Sequence, residues 1–242
     1  MDIVSNAQER ELKLKLRLAQ LEKNEFSQNS FLSFVKTVWP DFIAGRHHKI
    51  IADKLERVAK GELKRLIINM APRHTKSEFA SYLFPAWMMG RNPKMKIIQA
   101  THTTELAVNF GRKTKNLIDS DEYKEIFPEV KLAADSKASG RWDTSKGGMY
   151  YAVGVGSNLA GRGGDLVVID DPHSEQTAMS VNGFEDAWDW YTGGPRQRLQ
   201  PGGSIVLVQT RWSEKDMTGQ LLRAMSKDPL ADQWEVVELP AI

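Results

Sequence analysis

Residues 66–77 read Leu-Ile-Ile-Asn-Met-Ala-Pro-Arg-His-Thr-Lys-Ser, and this stretch decides the fold. Its first three residues have the length and β-branched content of a buried strand. A loop from Met70 to Thr75 follows, and Lys76 starts a helical stretch that runs to about Met89 and contains Pro85. In open α/β sheets, ligands bind beyond the carboxyl ends of the strands. The loop is therefore the first candidate for a functional site.

The segments around this stretch alternate between helical and strand character. Helical residues at 47–61 end in a glycine and precede the first strand. Further along the chain, the pattern predicts strands at 96–100, 150–155, 166–169 and 205–208 and a helix at 104–118. The last two strands show no polar alternation, as expected for parallel strands buried on both faces. This order predicts an α/β fold with three layers and a largely parallel central sheet.

The N-terminal segment is predicted to form a helical extension over residues 1–34, followed by the main domain over 35–242. Residues 7–24 are rich in helix-forming side chains, although Leu12, Leu14, Leu16 and Leu18 alternate as in a strand. On a helix these leucines split between two faces. The helix either covers its own domain, which we favour, or packs against a partner. The polar residues 24–33 are predicted to form a loop leading to a helix start.

Composition bounds the classes of protein that fit. A chain of 242 residues with 41% hydrophobic content can bury a full core, and its net charge of +2 provides no strong global field. The absence of cysteine excludes disulfides and thiolate zinc sites, and the 5 scattered histidines argue against a structural metal site. No apolar run approaches the roughly 20 residues that span a bilayer, and no signal-peptide core is present. We expect a soluble, unprocessed cytosolic protein.

The loop after the first strand has the chemistry of a phosphate site. The Lys76 ammonium would bind phosphates, and the Ser77 hydroxyl would coordinate Mg²⁺. The backbone amides at the helix N-terminus would donate hydrogen bonds to anionic oxygens. The pattern G-x-x-x-x-G-K-[ST] would require glycine at Met70 and Thr75, and Pro72 removes one amide donor. A Lys-Ser pair at a helix start is common, so this loop needs a second site to support it.

The second site is the acidic pair Asp170-Asp171, which ends the apolar strand at 166–169. One carboxylate at a strand tip can hold Mg²⁺, and its neighbour can polarise an attacking water. The alternative is that Asp171-Pro172 only starts a turn. A third strand ends in Gln209-Thr210-Arg211-Trp212, where Thr210 could sense phosphate or water, or merely cap the strand. Three polar strand ends in this order favour a nucleotide site.

Together these blocks resemble the large terminase subunit of tailed bacteriophages, the motor that packages DNA into the capsid. The resemblance depends on 67–77, on Gly161-Arg162-Gly163-Gly164-Asp165 leading into 169–173, and on 209–212. It covers most of 35–242. It implies a P-loop NTPase fold of the ASCE (RecA-like) class, with ATP and Mg²⁺ as cofactors.

The resemblance also implies a role for each matching residue. Residues 72–77, which are Pro72, Arg73, His74, Thr75, Lys76 and Ser77, would bind the nucleotide as the Walker A loop. Ser77 and Asp170 would hold the metal, and Thr210 would belong to the motif that couples hydrolysis to DNA movement. Asp171 would be the catalytic carboxylate, although the family usually has Asp-Glu here, so Glu175 is an alternative.

Two arginines would act on the phosphates. Arg73 matches the arginine typical of the terminase Walker A loop, and Arg162, which precedes the second site, would act across a subunit boundary. For either arginine, a surface salt bridge is the alternative. The adenine would be bound within 39–48, where His47-His48 could equally be a helix-start pair without a ligand.

The family implies partners and a location for this chain. These are double-stranded DNA, the portal protein of the procapsid, the small terminase subunit and a homo-oligomeric ring, a pentamer, in the cytoplasm of the infected bacterial host and docked on the procapsid. The nuclease domain of large terminases has no room before Ile242, so we expect ATP hydrolysis without DNA cutting. Candidate DNA phosphate contacts are Arg112, Lys113 and Lys115, or Arg196, Arg198 and Arg211. A helicase-like translocase and a non-catalytic DNA-binding or assembly module with a decayed P-loop stay open as alternatives.

Overall fold

The protein is described from a computed structural model that covers residues 2–136 and 138–240. Within this part of the chain, seven strands form one sheet in the order β3-β4-β2-β5-β6-β1-β7. The strands are β1 (Arg65–Met70), β2 (Lys96–Thr101), β3 (Arg141–Asp143), β4 (Met149–Gly154), β5 (Gly164–Asp170), β6 (Leu199–Gln209) and β7 (Glu235–Leu239). All neighbours are parallel except the edge pair β3 and β4.

Helices cover both faces of the sheet and complete the predicted three-layer α/β fold. They are α1 (Asp2–Asn29), α2 (Phe31–Val38), α3 (Arg46–Ala59), α4 (Phe84–Arg91), α5 (Thr104–Asp119), α6 (Asp121–Ile126), α7 (Glu175–Met179), α8 (Gly183–Gly193) and α9 (Met217–Lys227). The first apolar core lies between the sheet and α2 to α6, and the second lies between the sheet and α8 with α9. Among the described residues, no helix has the combination of length and apolarity that crossing a membrane requires.

The position of β6 in the sheet determines where polar residues meet. β6 lies between β1 and β5, with Asn69 opposite Gln209 and Asp170 opposite Val208. A strand inserted between the two strands that carry the candidate phosphate and metal residues is the ASCE arrangement, so the predicted fold class is confirmed. All three strands are parallel, and their carboxyl ends therefore share one edge of the sheet.

The helix that follows the loop contains a π-helical turn, Glu78–Leu83, before it continues as α4. In this turn the N–H of Phe84 donates to the carbonyl of Phe79, five residues earlier. Pro85 has no N–H and its ring would clash with the carbonyl four residues before it in a regular α-helix. The wider turn accommodates the proline. The helix predicted from Lys76 to Met89 is confirmed, and the π-turn was not foreseen.

The N-terminal helix is longer than predicted. The helix at 7–24 is confirmed, but most of the loop predicted at 24–33 is wrong, because α1 continues to Asn29 and only Ser30 separates it from α2. The Asn24 amide donates to the Glu125 carbonyl at 2.9 Å, and the Trp87 indole donates to the Ser27 carbonyl at 3.0 Å. These long-range hydrogen bonds hold polar residues within a helix.

Residues 8–19 of α1 are all exposed. Its four alternating leucines, Leu12, Leu14, Leu16 and Leu18, are between 57% and 71% exposed. The favoured interpretation that this helix covers its own domain is therefore wrong for residues 8–19, since leucines on two faces form no single apolar stripe. The predicted division at residue 34 falls inside α2, where Phe34 is buried, and the two-part division stays a prediction.

A glycine in α5 allows the close approach that places β4 against this helix. A Cβ on Gly111 would clash with the carbonyl oxygen of Ser139 and would lie 3.0 Å from the ring of Tyr150 in β4. We expect Gly111→Ala to lower the free energy of unfolding by about 1–3 kcal/mol, because backbone must move to admit the methyl group. Urea denaturation measures this loss. Gly193→Ala is the control, since a Cβ there meets nothing within 4 Å, and equal losses in both variants would contradict the explanation.

Candidate functional site

The candidate site lies where three strands end at the carboxyl edge of the sheet. Lys76 and Ser77 start the helix after β1, Asp170 ends β5, and Thr210 follows β6. The buried apolar runs of these strands set the register, so each polar side chain emerges at the same height. The structure therefore brings together five of the predicted site residues, Lys76, Ser77, Asp170, Asp171 and Thr210.

The Lys76 ammonium is the centre of this cluster and is only 5% exposed. Its Nζ lies 2.8 Å from Asp171 Oδ2 and donates to Thr210 Oγ1 at 3.1 Å. A buried ammonium needs such partners, because desolvation of an unpaired charge is costly. Lysine has three N–H donors, so these contacts leave one for an anionic ligand.

Asp171 connects the ends of β5 and β6. Its Oδ1 accepts from the Thr210 backbone N–H at 2.7 Å, and its own N–H donates to the Val208 carbonyl at 2.8 Å. Its backbone has a φ of 40°, a left-handed conformation that aspartate tolerates better than most residues. The carboxylate is thus held in one orientation, with Lys76 on its second oxygen.

Asp170 is a buried carboxylate, only 2% exposed. Its Oδ1 accepts from Ser77 Oγ at 3.0 Å and its Oδ2 from Ser81 Oγ at 2.8 Å. Burial, and secondly the charge of Asp171, raise the pKa of Asp170 to about 7, although the two serines and Lys76 oppose the shift. A carboxylate in this setting is stabilised by an added cation.

The donor atoms at this position suit Mg²⁺. Ser77 and Asp170 offer a hydroxyl and a carboxylate oxygen, which are the hard ligands that this ion prefers. The described residues contain no group of three or more His, Cys, Asp or Glu side chains that could hold a metal ion. Ser77 and Asp170 would supply two ligands to Mg²⁺, and other oxygen ligands such as water would have to complete its coordination.

The loop before Lys76 adopts the backbone geometry that glycine normally provides. Arg73 and Thr75 have φ values of 64° and 63°, in the left-handed region. Thr75 is the residue at the second glycine position of the phosphate-loop pattern. Pro72 and His74 lie in the exposed part of the loop, where the Pro72 carbonyl lies 2.8 Å from His74 Nδ1. Thr75 thus has a backbone conformation that glycine adopts without strain.

The two predicted arginines occupy different places. Arg73 is exposed in the loop itself. The Arg162 guanidinium lies 4.3 Å from the ring centroid of Tyr151, which pairs with β2 at the level of Val167 rather than Asp170. Arg162 thus lies beside β4, near one edge of the sheet and below the level of Asp170 along the strands. Glu175, the alternative carboxylate, is exposed in the first turn of α7.

Asp216 is a site-supporting residue that the sequence analysis missed. It is fully buried and accepts hydrogen bonds from the Arg211 guanidinium and from the backbone N–H groups of Trp212 and Gly219, at 2.9 to 3.0 Å. Burial alone would raise the pKa of Asp216, but these donors lower it below its ordinary value. The loop after Thr210 is therefore fixed, and Arg211, a candidate DNA contact, is engaged within the protein. An aspartate just before a helical pattern is an N-cap signal that could have identified it.

His173 links the segment after β5 to α9. It is 3% exposed, and its Nε2 accepts from the Met217 N–H at 3.0 Å. Burial lowers the pKa of His173 to about 4, against the opposing charges of Asp216 and Asp171. The folded protein thus binds a proton on this ring less tightly than the unfolded chain. The stability that neutral His173 contributes is present above pH 6.5 and is lost as the pH falls from 6.5 to about 4.

This pH dependence can be isolated with His173→Gln, whose amide oxygen can still accept from Met217. Between pH 7 and pH 5 we expect the wild type to lose on the order of 1–2 kcal/mol more unfolding free energy than the variant. Urea denaturation of both proteins at the two pH values measures the difference, and groups common to both cancel. Parallel losses would show that His173 does not carry the effect.

A cleft of about 490 Å³ opens beside the loop. It lies between the start of α3, the end of β1 and the end of β7, and its walls are Arg46, His47, Ile50, Met70, Ala71, His74, Leu239 and Pro240. Two of these residues, Arg46 and His47, belong to the segment 39–48 predicted to bind a base. The contribution of β7 could not be seen in the sequence, because β7 is adjacent to β1 only in the folded sheet.

Comparison with known proteins identifies the fold. No protein-family model and no curated protein matches this sequence. The HK97 bacteriophage large terminase is similar over 84% of this chain and 42% of its own, with a TM-score of 0.56 and 12% identity. The large terminase of a thermophilic bacteriophage, solved in complex with ADP, is similar over 77% of this chain and 44% of its own, with a TM-score of 0.44 and 12% identity.

This chain thus spans less than half the length of either terminase. At 12% identity, the match to the HK97 protein establishes a shared fold. The resemblance inferred from three short blocks of sequence is therefore confirmed at the level of the fold.

Proposed function

We propose, on the premise that this chain has the fold of part of a phage large terminase, that it is the ATPase domain of a viral DNA-packaging motor. It would hydrolyse ATP to move double-stranded DNA into a procapsid. The observation that carries the proposal is the cluster of Lys76, Ser77, Asp170, Asp171 and Thr210, joined by contacts of 2.7 to 3.1 Å. A cation, a hydroxyl and two carboxylates at one sheet edge form the set that phosphoryl transfer requires.

Each residue of the cluster has a task in hydrolysis. Lys76 and the amides at the start of its helix would bind phosphate oxygens. Ser77 and Asp170 would hold Mg²⁺, which supplies positive charge to the phosphates when bound. Asp171 would orient the attacking water, and its hydrogen bond from the Thr210 N–H at 2.7 Å would keep its carboxylate aimed. The family usually has glutamate at this position, and aspartate is shorter by one methylene group. The hydrogen bond from the Thr210 N–H, which fixes the orientation of the carboxylate, supports the role of Asp171 despite its shorter side chain.

Thr210 would couple the nucleotide to movement. Its hydroxyl accepts from Lys76, its N–H donates to Asp171, and the loop that follows it is tied to Asp216 at the start of α9. A change at the phosphates would thus reach α9 through a chain of hydrogen bonds. In the proposed motor this path would transmit hydrolysis to a DNA-contacting surface.

The cleft beside the loop would receive the adenine. Its walls combine apolar side chains such as Ile50 and Met70 with the polar rings of His47 and His74. Mostly apolar walls with a few polar groups are typical of small-molecule sites. Because Ala71 and His74 belong both to this cleft and to the phosphate loop, a base in the cleft would be adjacent to its own phosphates.

The remaining assignments extend the proposal to the assembled motor. Arg73 would add positive charge on the phosphates from the same chain, and Arg162 from a neighbouring subunit of a homo-oligomeric ring. An arginine supplied in this way is worth about 10³ to 10⁵ in rate in related enzymes. The position of the Arg162 guanidinium over Tyr151 of β4, which is separated from β5 by β2, supports the role in trans. The portal protein and the small terminase subunit are the expected partners.

Phosphate release from ATP tests the proposal. We expect Mg²⁺-dependent hydrolysis that double-stranded DNA and procapsids stimulate. Stimulation by single strands or forks instead would indicate a helicase-like translocase. Absence of both nucleotide binding and turnover would favour a non-catalytic DNA-binding or assembly module.

A further inference from the structure

Thr75 has an unfavourable backbone conformation for its residue type. Its φ of 63° lies in the left-handed region, which β-branched side chains rarely adopt. It directly precedes Lys76, so its backbone angles set the direction in which the helix and the lysine begin. A conformation of this kind persists only where surrounding contacts hold it.

His48 of α3 makes the contact that holds Thr75. Its Nε2 lies 2.6 Å from Thr75 Oγ1, and its Nδ1 accepts from the Gly45 N–H at 2.8 Å. Because the Gly45 N–H can only donate, Nδ1 carries no proton, and the neutral ring carries its proton on Nε2. Nε2 therefore donates to the Thr75 hydroxyl, which in turn donates to the His74 carbonyl.

The His48 ring has little freedom to leave this position. It is 6% exposed and stacks on Phe79, the second residue of the π-helical turn, with 5.0 Å between ring centroids. The Phe42 ring packs against it edge-on at 4.7 Å. Burial, and secondly the nearby His47, lower the pKa of His48 to about 4, so the ring stays neutral at physiological pH. The Nε2–H group of His48 is thus held in a fixed position to donate to the Thr75 hydroxyl.

We propose that His48 is a positioning residue that takes over the work of the missing phosphate-loop glycine: it holds Thr75 in the left-handed conformation and thereby aims Lys76. The inference rests on the proposed function of this loop as a nucleotide-phosphate site. His48, the buried member of the His47-His48 pair, would thus have a role beyond starting α3. It also makes α3, which forms one wall of the cleft, part of the phosphate site.

Two conservative variants separate positioning from simple packing. In His48→Gln the amide nitrogen extends to a place near Nε2 and can still donate to Thr75. In His48→Asn the amide oxygen lies near Nδ1 and can accept from Gly45, but the side chain is too short for Thr75. A role in packing alone predicts that the smaller residue weakens the protein by an amount that no change at Thr75 can restore.

Binding of a fluorescent ADP analogue with Mg²⁺ provides the first readout. We expect His48→Gln to bind within about twofold of the wild type and His48→Asn to bind about five- to tenfold more weakly, the loss that one hydrogen bond accounts for. Thr75→Gly in the His48→Asn background should restore binding, because glycine adopts positive φ without support. Wild-type affinity in His48→Asn, equal losses in both variants, or no rescue by glycine would overturn the inference.

Urea unfolding of the same proteins without nucleotide makes the test independent of the proposed function. The loss of stability caused by His48→Asn should be smaller when residue 75 is glycine, and additive effects would overturn the inference. Such coupling in proteins that bind no nucleotide would reject the proposed function alone. The ¹⁵N shifts of His48 in the wild-type chain add a measurement that needs no variant: protonation at Nδ1 instead of Nε2 would overturn the proposal.

Discussion

Lys76→Ala is expected to abolish Mg²⁺-dependent ATP hydrolysis, with a loss on the order of 10²–10³ or more, as for other groups that stabilise transition-state charge. The ammonium is the cation that contacts both Asp171, at 2.8 Å, and Thr210, at 3.1 Å. Its removal takes away the positive charge that stabilises the phosphates and leaves two neighbouring carboxylates without their counter-ion. Single-turnover phosphate release measures the chemical step, and a binding isotherm measures the accompanying loss of nucleotide affinity.

Lys124→Ala is the matched control for this experiment. Lys124 also pairs with an aspartate, Asp119, at 2.7 Å, but its side chain is 46% exposed. Exposed pairs of this kind contribute little, so turnover and stability should stay at wild-type levels. Turnover retained by Lys76→Ala would mean that hydrolysis arises elsewhere, and the proposed site would then be wrong.

Asp170→Asn is expected to change activity and stability in opposite directions. Hydrolysis should fall by about 10² or more, because a neutral amide is a poor ligand for Mg²⁺. The folded protein should become more stable, since the amide keeps partners for both Ser77 and Ser81 and removes a buried charge. At pH 8 we expect the melting temperature to rise by about 3–6 °C.

The sign of the stability change follows from the pKa of Asp170, which burial and Asp171 raise to about 7. The folded state binds this proton more tightly than the unfolded chain. The stability that protonated Asp170 contributes is fully present below the unfolded pKa of 3.8 and is lost as the pH rises through about 7. The advantage of asparagine should therefore shrink at pH 5.

Calorimetry at the two pH values measures the effect of Asp170→Asn. Asp119→Asn is the control, because its carboxylate is exposed and its replacement should leave both activity and melting temperature unchanged. A lower melting temperature for Asp170→Asn at pH 8 would show that the charge is better compensated than its burial indicates.

Most strands and the helices α1, α3, α4 and α5 could be predicted from the sequence because their signals are local. The apolar runs at 66–68, 166–169 and 205–208 became β1, β5 and β6, since β-branched residues of that length suit buried parallel strands. The polar residues that follow each run then had to meet at one edge once the strands were known to be parallel. The five clustered site residues were accessible by this reasoning.

Other features depend on contacts that no local pattern contains. Ser81 reaches Asp170 only because helix and strand lie side by side, and Asn24 stays helical because of a carbonyl 101 residues away. By pattern alone the lack of glycine in the loop is a weakness, whereas the loop backbone takes positive φ beside His48. The resemblance to terminases implies that Arg162 acts on the phosphates across a subunit boundary, and only the fold shows that its guanidinium lies over Tyr151.

The order of the main strands, the largely parallel sheet and the identity of the charged residues at its edge could be determined from the amino-acid sequence. Hydrophobic periodicity and strand length act over a few residues, so they can be read along the chain. The orientation of Asp171, the raised pKa of Asp170, the support of Thr75 by His48 and the cleft beside the loop were decided only by the tertiary structure. These features depend on desolvation and on hydrogen bonds between distant segments, which exist only once the sheet and its helices have packed.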